Sequence, residues 1–153
     1  MLIGLISDTH SLMRAEALAA LDGVEMILHA GDVGSQSVLS ELERIAPTRA
    51  VFGNMDDPIL GLPQRLSLVL GGVKVHVSHG HELGRPTPDN LTHRYAADVI
   101  VFGHTHKPRI EIRGSTLVVN PGAAGPRRFN LSPSIALLHI VNGHASAEIV
   151  ELA

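Results

Sequence analysis

Five short apolar runs in this chain each end on Asp, Asn or His. They finish as SDTH (Ser7–His10), HAGD (His29–Asp32), FGNMD (Phe52–Asp56), VSHGH (Val77–His81) and FGHTH (Phe102–His106). Apolar runs of this length, bounded by glycine and polar residues, are expected to form buried strands. Ligands of α/β sheets gather at the carboxyl ends of strands, which is where these polar residues fall.

The segments between the runs complete the pattern. Leu2–Ser7, Glu25–Ala30 and Thr48–Phe52 are expected strands. They are separated by a short helix over Arg14–Leu21, stopped by Gly23, and a second over Ser35–Ala46 with Val38, Leu42 and Ile45 on one face. Strands alternating with helices predict parallel βαβ units. After Pro58, Leu66–Leu70 and Val73–Ser78 alternate around Gly71-Gly72 as a hairpin. A helix over Asp89–Ala97 and a strand over Asp98–Phe102 follow. Arg109–Arg113 pairs with Thr116–Val119, and Ile135–Val141 with Ala145–Leu152, both antiparallel; Asn120–Pro133 is expected to be a long surface loop.

Composition narrows the class. At 153 residues, one domain over 1–153 is expected, and 44% hydrophobic content with 3% aromatic content asks for a core of Val, Ile, Leu and Ala. A net charge of −3 gives no electrostatic case for general nucleic-acid or membrane binding. The absence of cysteine excludes disulfides, thiolate metal sites and cysteine nucleophiles, and fits a reducing cytoplasm. MLIGLISDTH lacks a basic region before its apolar run, and no run approaches the roughly 18 residues of a membrane span. The anomaly is histidine, with 10 beside a single tyrosine.

Seven of the polar residues are candidate metal ligands: Asp8, His10, Asp32, Asn54, His79, His104 and His106. On extended backbone, residues i and i+2 point to one side, so Asp8 with His10 and His104 with His106 are expected to converge in pairs. Mixed oxygen and nitrogen donors without thiolate suit Mn, Fe, Zn, Co or Ni better than Ca or Mg. Seven ligands are too many for one ion with open positions and about right for two ions sharing a carboxylate.

In this order, D-x-H, G-D, G-N, H-G-H and G-H-T-H resemble the motifs of calcineurin-like metallophosphoesterases, and in particular their small single-domain phosphodiesterase-like branch. The resemblance spans residues 2 to about 128. It implies an α/β fold, a four-layer αββα sandwich of two mixed sheets, with a di-metal centre at the strand ends. Carried over position by position, it implies that Asp8, His10 and His106 bind one ion and that Asn54, His79 and His104 bind the other, with Asp32 bridging. Manganese is the expected metal, with Ni, Zn, Fe or Co as alternatives. Two dications outweigh two carboxylates, so the surplus charge attracts a phosphate ester, which a metal-activated water attacks in line. In this resemblance Asp32, Asn54 and His81 are the catalytic residues. His81 lies near the phosphate, and Arg127 and Arg128 are candidate substrate ligands.

The remaining residues are assigned more modestly. His29 is expected to orient or pack near the site, and His76, pointing away from Val73, Val75 and Val77, to be structural. His93, His139 and His144 lie outside the motifs, and Lys107 and Arg109 are expected to be solvated. Asn120-Pro121-Gly122 resembles the family's N-P-G element, with Ala123 where a serine is usual. Met55 stands where many relatives carry a histidine that assists the leaving group. Methionine has no proton to give, and losing general acid catalysis costs on the order of 10²–10⁴-fold where the leaving group needs it. Good leaving groups suffer least.

These residues predict a metal-dependent phosphodiesterase or related phosphohydrolase acting on a small phosphate ester. The rivals are a non-catalytic scaffold on the same fold, as in the retromer sorting complex, and a phosphomonoesterase or phosphoprotein phosphatase. A scaffold would be expected to lose ligands, and none of the seven is missing. An exposed aliphatic face on the second sheet would support a homo-oligomer.

Overall fold

The computed structural model describes residues 1–152. Ten strands form two five-stranded sheets. The first sheet contains β1 (Leu2–Ile6), β2 (Met26–His29), β3 (Thr48–Ala50), β9 (Ser134–Val141) and β10 (His144–Glu151) in the order β10-β9-β1-β2-β3. The second contains β4 (Arg65–Leu70), β5 (Val73–Ser78), β6 (Val99–Val101), β7 (Arg109–Arg113) and β8 (Thr116–Asn120) in the order β4-β5-β6-β8-β7. Both are mixed: β1, β2 and β3 run parallel, as do β5, β6 and β8, with antiparallel strands at the flanks.

The alternation of side chains explains the layering. Ile3, Leu5, Leu28, Val75, Val101 and Leu138 point between the sheets and form the main core. Ile6 and Ile27, one residue out of phase, point the other way. They meet Ala17 and Leu21 near α1 (Ala15–Ala20) and Val38 and Leu42 of α2 (Gln36–Glu43). Gly4 lets α1 approach, since a Cβ there would lie 2.4 Å from Leu21 Cδ2. On the outer face of the second sheet, Ile100, Phe102 and Val118 pack against Leu91 of α3 (Pro88–Arg94). The four-layer αββα sandwich expected from the motifs is therefore present, with a thin outer layer of one helix on the second sheet. No helix among the described residues is long and apolar enough to cross a membrane.

Two expectations are corrected. The third helix starts one residue before Asp89 and ends at Arg94 instead of Ala97. Its start is held by a capping box: Asn90 N–H donates to Thr87 Oγ1 (3.2 Å) and Thr87 N–H to Asn90 Oδ1 (2.7 Å). Tyr95 leaves the helix in extended conformation to stack on His76, with ring centroids 3.8 Å apart, and to donate its hydroxyl to Glu82 (2.6 Å). The segment Asn120–Pro133 is likewise no uniform surface loop. Asn120 to Gly125 is buried, and Ala124 and Gly125 donate backbone N–H groups to the carbonyls of Ser7 and Asp8.

Candidate metal centre

Because β1–β3 are mutually parallel, as are β5, β6 and β8, each sheet sends several carboxyl ends to one edge. A bond across the sandwich brings the two edges together. Within the second sheet Gly103 N–H donates to the His79 carbonyl, and His79 Nδ1 donates across to the Ala30 carbonyl at 2.8 Å. A carbonyl can only accept, so the second bond fixes the His79 tautomer and leaves Nε2 as its free donor atom.

Three histidine side chains then converge on one carboxylate oxygen. Asp8 Oδ1 lies 3.3 Å from His106 Nε2 and 3.8 Å from Nε2 of both His10 and His79. Asp32 Oδ2 lies 3.3 Å from His79 Nε2 and 3.7 Å from His10 Nε2. Two groups have metal-binding proximity, Asp8–His10–His106 and Asp8–Asp32–His79. Asp8 Oδ1 and Nε2 of His10 and His79 are buried without a hydrogen-bond partner among the described residues. Orphaned buried polar atoms of this kind cost about 1–3 kcal/mol each. Divalent ions at the two groups would satisfy all three, so the donor set fits the metals that the motifs imply.

Backbone conformation aims these groups. Asp8, His10, Asp32, His104 and His106 all have positive φ, between 45° and 70°. The left-handed region costs a non-glycine residue about 1–2 kcal/mol, and such strain concentrates where geometry serves function. The expectation that i and i+2 converge through extended backbone is thus corrected. Asp8 and His10 do meet, but from turns. His104 and His106 diverge: His106 sits with Asp8 and His10, while the His104 ring stands edge-on to His79, centroids 5.2 Å apart.

Electrostatics follow from burial and the two carboxylates. Burial works to raise Asp32, but His79 and the Met55 N–H overcome it and hold the group down at about 2. Burial alone would lower His79, yet Asp32 and Asp8 raise it above the ordinary histidine value. His10, His81 and His104 are lowered, in each case by burial first.

The other predicted residues fall around this centre. Asn54 is exposed at the turn after β3. His81 has its ring centroid 5.3 Å from that of His79, and its buried Nδ1 has no partner among the described residues. Arg127 and Arg128 line a small recess beside His106, and the charge of Arg128 reaches His10. His29 is a packed orienting residue, as expected. Gly31 N–H donates to its Nδ1, its Nε2 donates to Thr9 Oγ1, and Thr9 Oγ1 donates to the Val33 carbonyl. Burial takes it down to about 4.

Several supporting residues were not singled out in the sequence. Asp56, buried, accepts from the N–H groups of Gly53 and Gly34, both at 2.9 Å, and so ties the Asn54 turn to the loop after β2. Its signal was the three-residue spacing from Gly53, the reach of a turn. Ser7 Oγ donates to Asp8 Oδ2 at 2.6 Å. Asn120 Nδ2 donates to the Gly103 carbonyl and Thr105 Oγ1, a supporting role for the N-P-G element.

Such a sandwich, with Asp and His gathered from both sheets, is the architecture of a metallophosphoesterase. Residues 1–143 match the calcineurin-like phosphoesterase superfamily domain. A probable metallophosphoesterase of Methanothermobacter thermautotrophicus is 36% identical over 98% of this chain and 92% of its own length. The phosphodiesterase YfcE of Escherichia coli K12 is 30% identical over 76% of each chain. The zinc-complexed Vps29 of Entamoeba histolytica superposes with a TM-score of 0.80 at 25% identity, over 100% of both chains. The chain belongs to the calcineurin-like phosphoesterase superfamily, and it is a hydrolase of phosphoester bonds.

Proposed function

We propose that the protein is a metal-dependent phosphodiesterase with a two-ion centre. The observation that carries this is the buried Asp8 Oδ1 facing Nε2 of His10, His79 and His106, groups drawn from the ends of three strands, β1, β5 and β6. Asp8, His10 and His106 would hold one dication and Asn54, His79 and His104 the other, with Asp32 shared. Manganese is the proposed ion, and Ni, Zn, Fe and Co suit the same donors. When bound, the ions supply surplus positive charge and an activated water for attack on phosphorus.

The chain's own groups do the rest. Asn54 contributes a neutral oxygen, so it adds a ligand without cancelling the charge that draws in the phosphate. The unpartnered His81 Nδ1 is available to a phosphoryl oxygen, and Arg127 and Arg128 offer charge from the His106 side. Met55, largely exposed and bound to Asp32 only through its backbone N–H (2.9 Å), gives the leaving group no proton. That favours esters whose leaving groups depart unaided. The name of the Escherichia coli relative, a phosphodiesterase, supports diesters.

The test is metal analysis with hydrolysis of aryl diesters and monoesters under Mn, Ni, Zn and Mg, beside Asn54→Ala and His104→Ala. Diester hydrolysis lost in both variants is expected. A metal-replete protein inert towards every ester would instead favour the scaffold role suggested by the Vps29 likeness.

A further inference from the structure

Beside the metal centre runs a groove of about 700 Å³, within the roughly 300–1,000 Å³ range of small-molecule sites. It begins at His104, so whatever fills it abuts the proposed scissile phosphate. Its walls combine two features. Phe102 forms an apolar wall, and Phe129 presents a ring 74% exposed to solvent. Phe129 also stands edge-on to His106, centroids 6.1 Å apart, on a backbone with φ of 55°. Bulky residues in the left-handed region are uncommon, and such strained backbone clusters at ligand-binding sites.

Arg85, Lys107 and Arg109 supply the second feature. Arg109 shares its charge with Glu111 at 3.1 Å, while Arg85 and Lys107 have no carboxylate partner among the described residues. Three cations gathered in one groove of a chain whose net charge is −3 is a local concentration; Lys107 and Arg109 are solvent-exposed, as expected, and both line the groove.

Building on the proposed diesterase activity, we infer that this groove binds a nucleotide, so that the substrate is a short nucleotide phosphodiester bearing a second phosphate. The exposed Phe129 ring offers a stacking surface for a base, and every base has a flat face to place on it. Arg85 and Lys107, with Arg109 behind them, offer charge-assisted hydrogen bonds to a further phosphate. Hydrolysis forms a P–O bond from water and breaks the P–O bond to a sugar oxygen, which leaves with a proton. The groove contributes binding only.

The experiment compares the dinucleotides pApA and ApA, which differ by one terminal phosphate, with bis(p-nitrophenyl) phosphate on the metal-loaded enzyme. In the wild type, kcat/KM for pApA is expected to exceed that for ApA by about tenfold. In the Arg85→Gln/Lys107→Gln variant the ratio should fall close to one. Phe129→Ala should raise KM for both dinucleotides. Calorimetric titration of AMP into the metal-free protein gives a readout independent of turnover, with binding about tenfold weaker in the double variant. Hydrolysis of bis(p-nitrophenyl) phosphate without preference for pApA, or equal AMP binding by wild type and variant, would overturn the groove assignment and leave the diesterase activity standing. Inertness towards all three esters would overturn both.

Discussion

His79 of the second sheet donates through Nδ1 to the carbonyl oxygen of Ala30 in the first, 2.8 Å away. One hydrogen bond thus ties the sheets together and turns Nε2 towards Asp8 and Asp32. The carboxylates in turn hold His79 above the ordinary histidine value, against the pull of burial.

Metal and proton should therefore compete. Apparent affinity is expected to fall as pH drops through and below the raised His79 value, by up to about tenfold per pH unit for one displaced proton. Calorimetry in buffers of different ionisation enthalpy measures the proton released. His79→Ala should lower diester turnover by about 100-fold or more, since loss of even an outer supporting group costs 10–100-fold at metal sites.

Gly53 has no room for a methyl group. A Cβ there would meet Asp32 N at 2.1 Å and Asp32 Oδ1 at 2.2 Å. Gly53→Ala should lower stability by about 1–3 kcal/mol, the usual cost of overpacking, and weaken metal binding with it. Gly53 lies outside the left-handed region, whereas Gly72 has φ of 80° and open space around its Cβ, so Gly72→Ala reports backbone strain alone and Gly53→Ala the clash. An unchanged denaturant melt for Gly53→Ala would show that the Asp32 contact is unimportant.

Met55→His restores a proton donor beside Asp32, at an exposed position where stability should be little affected. Turnover of alkyl esters is expected to rise relative to aryl diesters, by up to the 10²-fold lower bound of general acid catalysis. An unchanged ratio in steady-state assays would remove Met55 from the account of leaving-group preference.

His76, away from the centre, predicts an acid limb in stability. Burial pulls it down to about 4, below its ordinary value of 6.5. The group is neutral in both states above pH 6.5. Between 6.5 and 4 the unfolded chain takes the proton first, so stability falls as pH drops, with the unfolding constant rising at most about tenfold per pH unit. Urea melts of metal-free wild type and His76→Gln measure this, and the variant should have the shallower slope.

The hairpins show why parts of this fold were legible in the sequence. Leu70 pairs with Val73 around Gly71-Gly72, and Val141 with His144 around Asn142-Gly143, where glycine and asparagine supply the positive φ that such turns need. Alternating side chains assigned Val73, Val75 and Val77 to the core and His76 to the opposite face for the same local reason. The donors too were visible, because Asp, Asn and His directly after apolar runs are read from adjacent residues.

What the tertiary structure decided is direction. Asp8, His10, Asp32, His104 and His106 occupy left-handed backbone that no local preference of these residues dictates; partners far away in the chain, such as the Gly31 carbonyl accepting from Asp8 N–H, accompany that geometry. Tyr95 abandons a helix its sequence could have extended, because His76 and Glu82 offer stacking and a hydrogen bond. Lys107, Arg109 and Phe129 look like unremarkable surface residues until the chain folds. Only the packing of Arg85, Phe102 and His104 beside them makes a groove, since a cavity depends on surfaces distant in the chain and leaves no trace in local periodicity.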